Sequence, residues 1–203
     1  QQLNSTFSAE GNWLNSLAFL SDGKLLACNG ANNSIALFST DTRNTDATNA
    51  AAERISKFHG RIMGHADIVM DVQYSPHDGM LYSAGRDGTI RAWEPTATDP
   101  EFLEVESKED FECATQSSSS RIYSGGERGS VSVWDVRLAR CVRSLQVGDA
   151  SIRKIAVCQN DKTLATLGQD DWATVIDLDT QAILLRTKIE VPCGGFALSP
   201  DGK

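Results

Sequence analysis

Cysteine is scarce in this 203-residue sequence, and its spacing excludes several kinds of site. The count is odd, and the closest two cysteines, Cys141 and Cys158, are 17 residues apart. Zinc sites and dithiol redox motifs usually bring two cysteines within about two to four residues, so neither is predicted. We expect free thiols in a reducing compartment. The five are Cys28, Cys113, Cys141, Cys158 and Cys193.

Long apolar runs are missing too. No segment approaches the roughly 20 apolar residues that a membrane-spanning helix needs, so no membrane association is predicted. The opening residues QQLNSTFSAE have neither the basic end nor the apolar centre of a signal peptide. We expect a cytoplasmic protein, with the nucleus as the alternative. Because the sequence opens without Met, a trimmed targeting segment stays open as a further alternative.

Basic residues are outnumbered, with 19 Lys and Arg against 27 Asp and Glu, for a net charge of −8. Surfaces that bind nucleic acid usually carry a basic excess, so nucleic acid is not favoured as a partner. An acidic surface suits a basic protein partner or serves solubility alone.

Signatures of catalysis are also absent. The sequence contains neither the G-x-S-x-G turn of a serine hydrolase nor the G-x-x-x-x-G-K loop that holds phosphates. The histidines number three, His59, His65 and His77. Asp170 and Asp171 fall in a predicted tight turn, where carboxylates commonly serve turn geometry. We therefore predict a protein that is not an enzyme and has no metal, cofactor or small-molecule substrate.

What the sequence does contain is a repeat. Its unit is a short apolar strand ending in Gly, a tight turn and a second apolar strand, which indicates an all-β fold. The aligned glycines are separated by 55, 41 and 42 residues. The first gap also falls in a period of about 40–45 once the insertion near 41–53, within the segment 41–60, is removed. We expect this polar, small-residue-rich insertion to be a loop. The glycines are Gly30, Gly85, Gly126 and Gly168.

Within these repeats, Gly64-His65, Trp93-Glu94 and Trp134-Asp135 resemble the Gly-His and Trp-Asp marks of the WD-repeat family. The resemblance implies a β-propeller with four four-stranded blades plus the first strand of a fifth. We expect a fragment of a seven-bladed ring, with a closed four-bladed ring as the alternative. The predicted units are an outer closing strand (1–10), four blades (11–63, 64–105, 106–146 and 147–190) and the start of another blade (191–203).

The resemblance also implies a hydrogen-bonded network inside a blade, formed by His, Ser or Thr, Asp and Trp. His65, Asp87 and Trp93 occupy three of these positions in the second repeat. We assign the Ser position to Gly85 and therefore expect the chain of hydrogen bonds to be broken or filled by water. The third repeat keeps Trp134 from this network, and the fourth repeat keeps Asp170. The remaining positions hold other residues, namely Glu10, Asn32, Phe38, Arg128 and Ile176.

Propellers of this family are scaffolds, so the resemblance implies binding of other proteins. Strand order places the repeat turns on one face, here called the top face, and there we predict partner contacts by Arg86, Glu127, Arg128 and Trp172. Trp134-Asp135-Val136-Arg137 resembles the motif by which substrate receptors of cullin-RING ubiquitin ligases use an Arg on the opposite, bottom face. A ligase substrate receptor acting through Arg137 is therefore one alternative. A microtubule- or cilium-associated protein is another.

Overall fold

The computed structural model describes residues 14–20, 23, 25–30, 33–39, 57–76, 78–95, 102–106, 111–116, 121–135, 137–158 and 161–190. In these ranges all regular structure is β-strand, which confirms the all-β prediction. No helix in this described part of the chain is long and apolar enough to cross a membrane.

Sixteen strands in these ranges form four antiparallel sheets, and each sheet pairs its strands in chain order. We name the sheets blades 1 to 4, as the family resemblance implies. Blade 1 contains β1 (Leu14–Leu20), β2 (Leu25–Gly30), β3 (Ser34–Ser39) and β4 (Lys57–Met63). Blade 2 contains β5 (Val69–Tyr74), β6 (Leu81–Gly85), β7 (Thr89–Trp93) and β8 (Phe102–Glu106). Blade 3 contains β9 (Phe111–Gln116), β10 (Arg121–Gly126), β11 (Ser130–Asp135) and β12 (Arg140–Gln146), and blade 4 contains β13 (Ile152–Val157), β14 (Thr163–Gly168), β15 (Trp172–Asp177) and β16 (Ile183–Lys188).

Some predicted units fall outside the described residues. These are the outer closing strand at 1–10, the start of a further blade at 191–203 and most of the insertion. At the end of the insertion the structure differs from the prediction, because β4 begins at Lys57. Residues 57–60 pair with β3 instead of belonging to a loop.

Each contact between neighbouring blades is an apolar cluster to which both sheets contribute. Trp93 lies in the cluster that joins blades 1 and 2, and Trp134 in the cluster that joins blades 2 and 3. Ile176, which replaces Trp in blade 4, lies at the corresponding place between blades 3 and 4. The residue at this position therefore packs against the preceding blade even where it is Ile instead of Trp.

The turns between the second and third strands position the residues of the top face. In blades 2 and 3 these turns end on Gly88 and Gly129, with φ of 71° and 72°, a left-handed conformation that glycine adopts without strain. Asp171 takes the same place in blade 4 with φ of 65°, a conformation that Asp tolerates better than most residues. Each turn contacts the loop that precedes an inner strand, for example through the Arg86 N–H, which donates to the Ile68 carbonyl at 2.9 Å.

The four blades form an open arc. Blade 1 packs on blade 2, blade 2 on blade 3 and blade 3 on blade 4, with no comparable packing between the described strands of blades 4 and 1. On inner strand β1, Leu17 and Phe19 are 52% and 60% exposed. The matching residues of blade 2, Val72 and Tyr74, pack in the cluster shared with blade 1. The four-bladed ring considered as an alternative is therefore not closed.

Candidate functional site

A continuous chain of hydrogen bonds links four side chains of blade 2, and we call it the blade 2 network. It runs from Trp93, at the end of β7, through Ser83 on β6 and His65 in the loop before β5 to Asp87 in the β6–β7 turn. The Trp93 Nε1–Ser83 Oγ distance is 2.8 Å, and the Ser83 Oγ–His65 Nε2 distance is 2.6 Å. His65 Nδ1 lies 2.9 Å from Asp87 Oδ2. The network thus connects two strands and two loops of one sheet.

Donor and acceptor roles follow from the chemistry of the groups. The indole N–H of Trp93 can only donate, so Ser83 Oγ accepts from it. The hydroxyl proton of Ser83 is then directed to His65 Nε2, which leaves the proton of the neutral ring on Nδ1, facing Asp87. Every buried polar atom along this chain has a partner, which is what a buried network needs in order to be stabilising.

Asp87 is the most heavily bonded member of the network. Its carboxylate accepts hydrogen bonds from the Ala66 N–H at 2.8 Å, the Thr89 N–H at 3.1 Å and the Thr89 hydroxyl at 2.7 Å, in addition to His65. Burial acts to raise the pKa of Asp87, but these hydrogen bonds outweigh it and the pKa lies below its usual value. Arg91 adds positive charge, with Nη2 3.9 Å from Asp87 Oδ2.

The assignment of the Ser position to Gly85 is wrong. Ser83, two residues earlier, supplies the hydroxyl, and the hydrogen bonds in blade 2 are unbroken. Gly85 has a different task, since a Cβ there would lie 2.5 Å from His65 Nδ1 and 2.6 Å from Asp87 Oδ1. The glycine leaves the space in which the imidazole and the carboxylate meet.

Blades 3 and 4 retain parts of this arrangement. In blade 3, the Trp134 Nε1–H donates to Ser124 Oγ at 2.8 Å, matching the Trp93–Ser83 pair. In blade 4, Asp170 lies beside Gly168 as Asp87 lies beside Gly85, and its Oδ1 accepts the N–H of Trp172 at 3.3 Å.

The structure places the predicted partner-binding residues of the top face on neighbouring turns. Arg86, Glu127 and Arg128 are exposed, whereas Trp172 is half-buried at the start of β15. The guanidinium of Arg186, on the adjacent outer strand, lies 5.1 Å from the centroid of the Trp172 ring. The sequence pattern does not indicate Arg186, because its contact with Trp172 depends on the pairing of β15 with β16.

Arg137 lies apart from these residues, in the turn between β11 and β12, and is exposed. Asp135 shapes this turn, because its Oδ1 accepts the N–H groups of Arg137 at 3.0 Å and Leu138 at 3.1 Å. The carboxylate thereby orders the backbone that carries the Arg137 side chain. In the described ranges, no group of three or more His, Cys, Asp or Glu side chains is arranged to hold a metal ion.

Two segments of the chain, residues 1–39 and 56–94, match the family described as WD domain, G-beta repeat. Over 177 residues the chain is 24% identical to the guanine nucleotide-binding protein subunit beta of Oryza sativa subsp. japonica, and the alignment covers 83% of the chain and 45% of that relative. The subunit beta of Oryza sativa subsp. indica matches with the same identity and coverage. The chain thus spans a little under half the length of these curated relatives. The repeats, the four-stranded blades and these matches agree with one another. The chain contains WD repeats and is similar to G-protein beta subunits, which supports a general role in protein–protein interaction.

Proposed function

We propose that this chain is a non-enzymatic scaffold that binds protein partners through its top face. The observation that carries the proposal is the contrast between the blade 2 network and the turns around it. His65, a side chain suited to acid–base chemistry, is buried, and both of its ring nitrogens are bonded within the sheet. Arg86, Glu127 and Arg128 on the neighbouring turns are exposed. Charged side chains on rigid turns steer and orient a protein partner.

A comparison of the two faces tests this proposal. The double variant Glu127→Lys/Arg128→Glu exchanges the charges of the blade 3 turn, and Arg137→Glu reverses one charge on the bottom face. We expect the top-face variant to lower the affinity for a partner that co-purifies with the native protein by at least about tenfold, because like charges then oppose each other. Arg137→Glu should bind that partner as the native chain does. Loss of binding only with the bottom-face variant would contradict the proposal.

A second candidate function uses Arg137. Its exposure and the ordered turn that carries it favour a bottom-face contact with an acidic adaptor surface, as in the ligase substrate receptors that the motif resembles. A planar guanidinium can pair with a carboxylate through two hydrogen bonds. Replacement by Ala should abolish pull-down of the ligase adaptor, and Arg140→Ala, at another exposed arginine close by, is the matched control. If Arg137→Ala leaves the pull-down unchanged, or if the native chain captures no adaptor, this function is excluded.

We further propose that the protein works in the cytoplasm. The support is that Cys141 and Cys158 are free thiols, the first of them exposed, which suits a reducing compartment. Imaging of the tagged native protein is expected to show cytoplasmic signal, and signal confined to secretory compartments would contradict this location.

A further inference from the structure

Blade 4 contains an empty position where blade 2 holds a histidine. His65 lies four residues before Val69, and Val69 pairs with Gly85. Counting in the same way from Ile152, which pairs with Gly168, leads to Gly148. A Cβ built on Gly148 would meet a single atom within 4 Å, Arg186 Nη2 at 3.9 Å, so the place has room for a side chain that the sequence does not supply.

The groups that bind the imidazole ring of His65 in blade 2 have counterparts around this position. Asp170 stands against Gly168 as Asp87 stands against Gly85. Beside Gly85 the His65 ring shares the space, whereas beside Gly168 the remaining neighbour is the Ser151 carbonyl oxygen at 3.7 Å. Thr166 lies two residues before Gly168, as Ser83 lies two before Gly85. A carboxylate and a hydroxyl are therefore retained beside Gly168 in blade 4.

The result is a small cavity that is open to solvent. Thr166 and Thr174 line it, and each residue is only 3% exposed. Ile176 stands where Trp93 stands in blade 2, so the Thr166 hydroxyl receives no indole N–H. Hydroxyl groups in the wall of a cavity favour a polar occupant that can form hydrogen bonds with them.

Trp172, which follows the top-face turn of blade 4, and Arg186 also line the cavity. The Arg186 guanidinium rests over the Trp172 ring, and its strand β16 is exposed along its whole length. Cation–π contacts of exposed arginines are weak, so Arg186 can swing into solvent and enlarge the entrance. The indole ring then forms an apolar wall for an incoming ring.

We infer that this cavity is a binding site for one imidazole ring, which bridges Asp170 and Thr166 as His65 bridges Asp87 and Ser83. The ring N–H donates to the Asp170 carboxylate, and the other nitrogen accepts from the Thr166 hydroxyl. The ring comes either from a histidine side chain of a protein partner or from a free imidazole compound. This site goes beyond the proposed scaffold role and does not depend on it.

Imidazole itself is the first probe, added to the native chain at about pH 8, where most of it is neutral. We expect saturable stabilisation, with the melting temperature raised by about 3–6 °C at a tenfold excess over Kd. The variant Gly148→His places the ring covalently in the cavity, so it should melt higher than the native chain and lose the response to imidazole. The matched control Asp149→His adds an imidazole one residue away, at an exposed position, and should keep the response. Equal responses of the native chain and Gly148→His would overturn the site, as would no saturable response in the native chain.

Thr166→Val tests the hydroxyl, because it removes the oxygen while nearly preserving shape. It should weaken imidazole binding by about tenfold, the loss expected for one hydrogen bond. The source of the ring is distinguished with the peptides Gly-Gly-His-Gly-Gly and Gly-Gly-Phe-Gly-Gly. Competition with imidazole by the His peptide alone assigns the site to a partner histidine. If neither peptide competes while imidazole binds, the site takes free imidazole compounds, and competition by both peptides would contradict recognition by hydrogen bonds.

Discussion

At the scale of single residues, one hydroxyl group completes the hydrogen-bonded network of blade 2. The Ser83 hydroxyl accepts from Trp93 and donates to His65, so one oxygen satisfies two buried rings. His65, Asp87 and Trp93 were predictable from the spacing of the repeat. Ser83 was not, because Ser83 and Gly85 lie on the same side of the pleated strand β6. The alternation of side chains therefore does not distinguish them, and only the position of the histidine ring does.

Replacement of Ser83 by Ala should remove the hydrogen bonds that Ser83 Oγ makes with two buried groups, Trp93 Nε1 and His65 Nε2. Each such group costs about 1–3 kcal/mol, so we expect the free energy of unfolding to fall by about 2–4 kcal/mol. Urea unfolding measures the loss. Ser124→Ala is the matched control in blade 3, where the hydroxyl accepts from Trp134, and it should lose about half as much. Equal losses would show that the histidine bond adds nothing.

Acid should weaken the blade 2 network through Asp87. The folded-state pKa of this carboxyl lies below its usual value, because its hydrogen bonds outweigh the effect of burial. The stabilisation is therefore fully present above the unfolded pKa of about 4 and is lost as pH falls through the lower folded pKa. The stability difference between the native chain and Asp87→Asn should narrow as the pH falls below about 4. Urea unfolding of both proteins at about pH 7 and pH 3 measures it, and a constant difference would contradict the assignment.

At the scale of elements, alternation of apolar and polar residues predicted the strands well, since the pleat has a period of two wherever one face is buried. The start of β4 was less predictable. Its first residues follow a polar stretch, and their strand conformation comes from pairing with β3. Pairing with a distant segment leaves no local mark in the sequence.

The turn between β10 and β11 offers a test at this scale. Gly129 has φ of 72°, and a Cβ there would clash with the backbone carbonyl of Gly148. Gly129→Ala should therefore destabilise the chain by more than about 1 kcal/mol in thermal or urea unfolding. Gly23 has the same φ but nothing within 4 Å of an added Cβ, so Gly23→Ala measures the backbone strain alone. If the two variants lose the same stability, the contact with Gly148 is not the cause.

At the scale of the whole molecule, the arc leaves the apolar face of β1 uncovered. Leu17 and Phe19 are exposed, whereas the matching side chains of blade 2 pack against its neighbour. Exposed apolar faces of sheets promote association. We expect the 203-residue chain in isolation to self-associate as its concentration rises, which sedimentation velocity can measure.

The double variant Leu17→Lys/Phe19→Lys should shift this association towards monomer, because two charges are costly to bury against a second copy. Leu138→Lys removes a comparably exposed side chain from a turn of blade 3 and should leave the association unchanged. An unchanged oligomer distribution for the double variant would show that another surface drives the association.

The sequence by itself determined the all-β blades, their period and most of the blade 2 network, because these depend on residues close together or on a repeated spacing. The tertiary structure decided the rest. It showed that Ser83 completes the network and that Gly148 leaves a histidine position empty. It also showed that Arg186 lies over the Trp172 ring. Each of these facts depends on which strands and loops meet in space, and contacts between distant segments are invisible to local patterns.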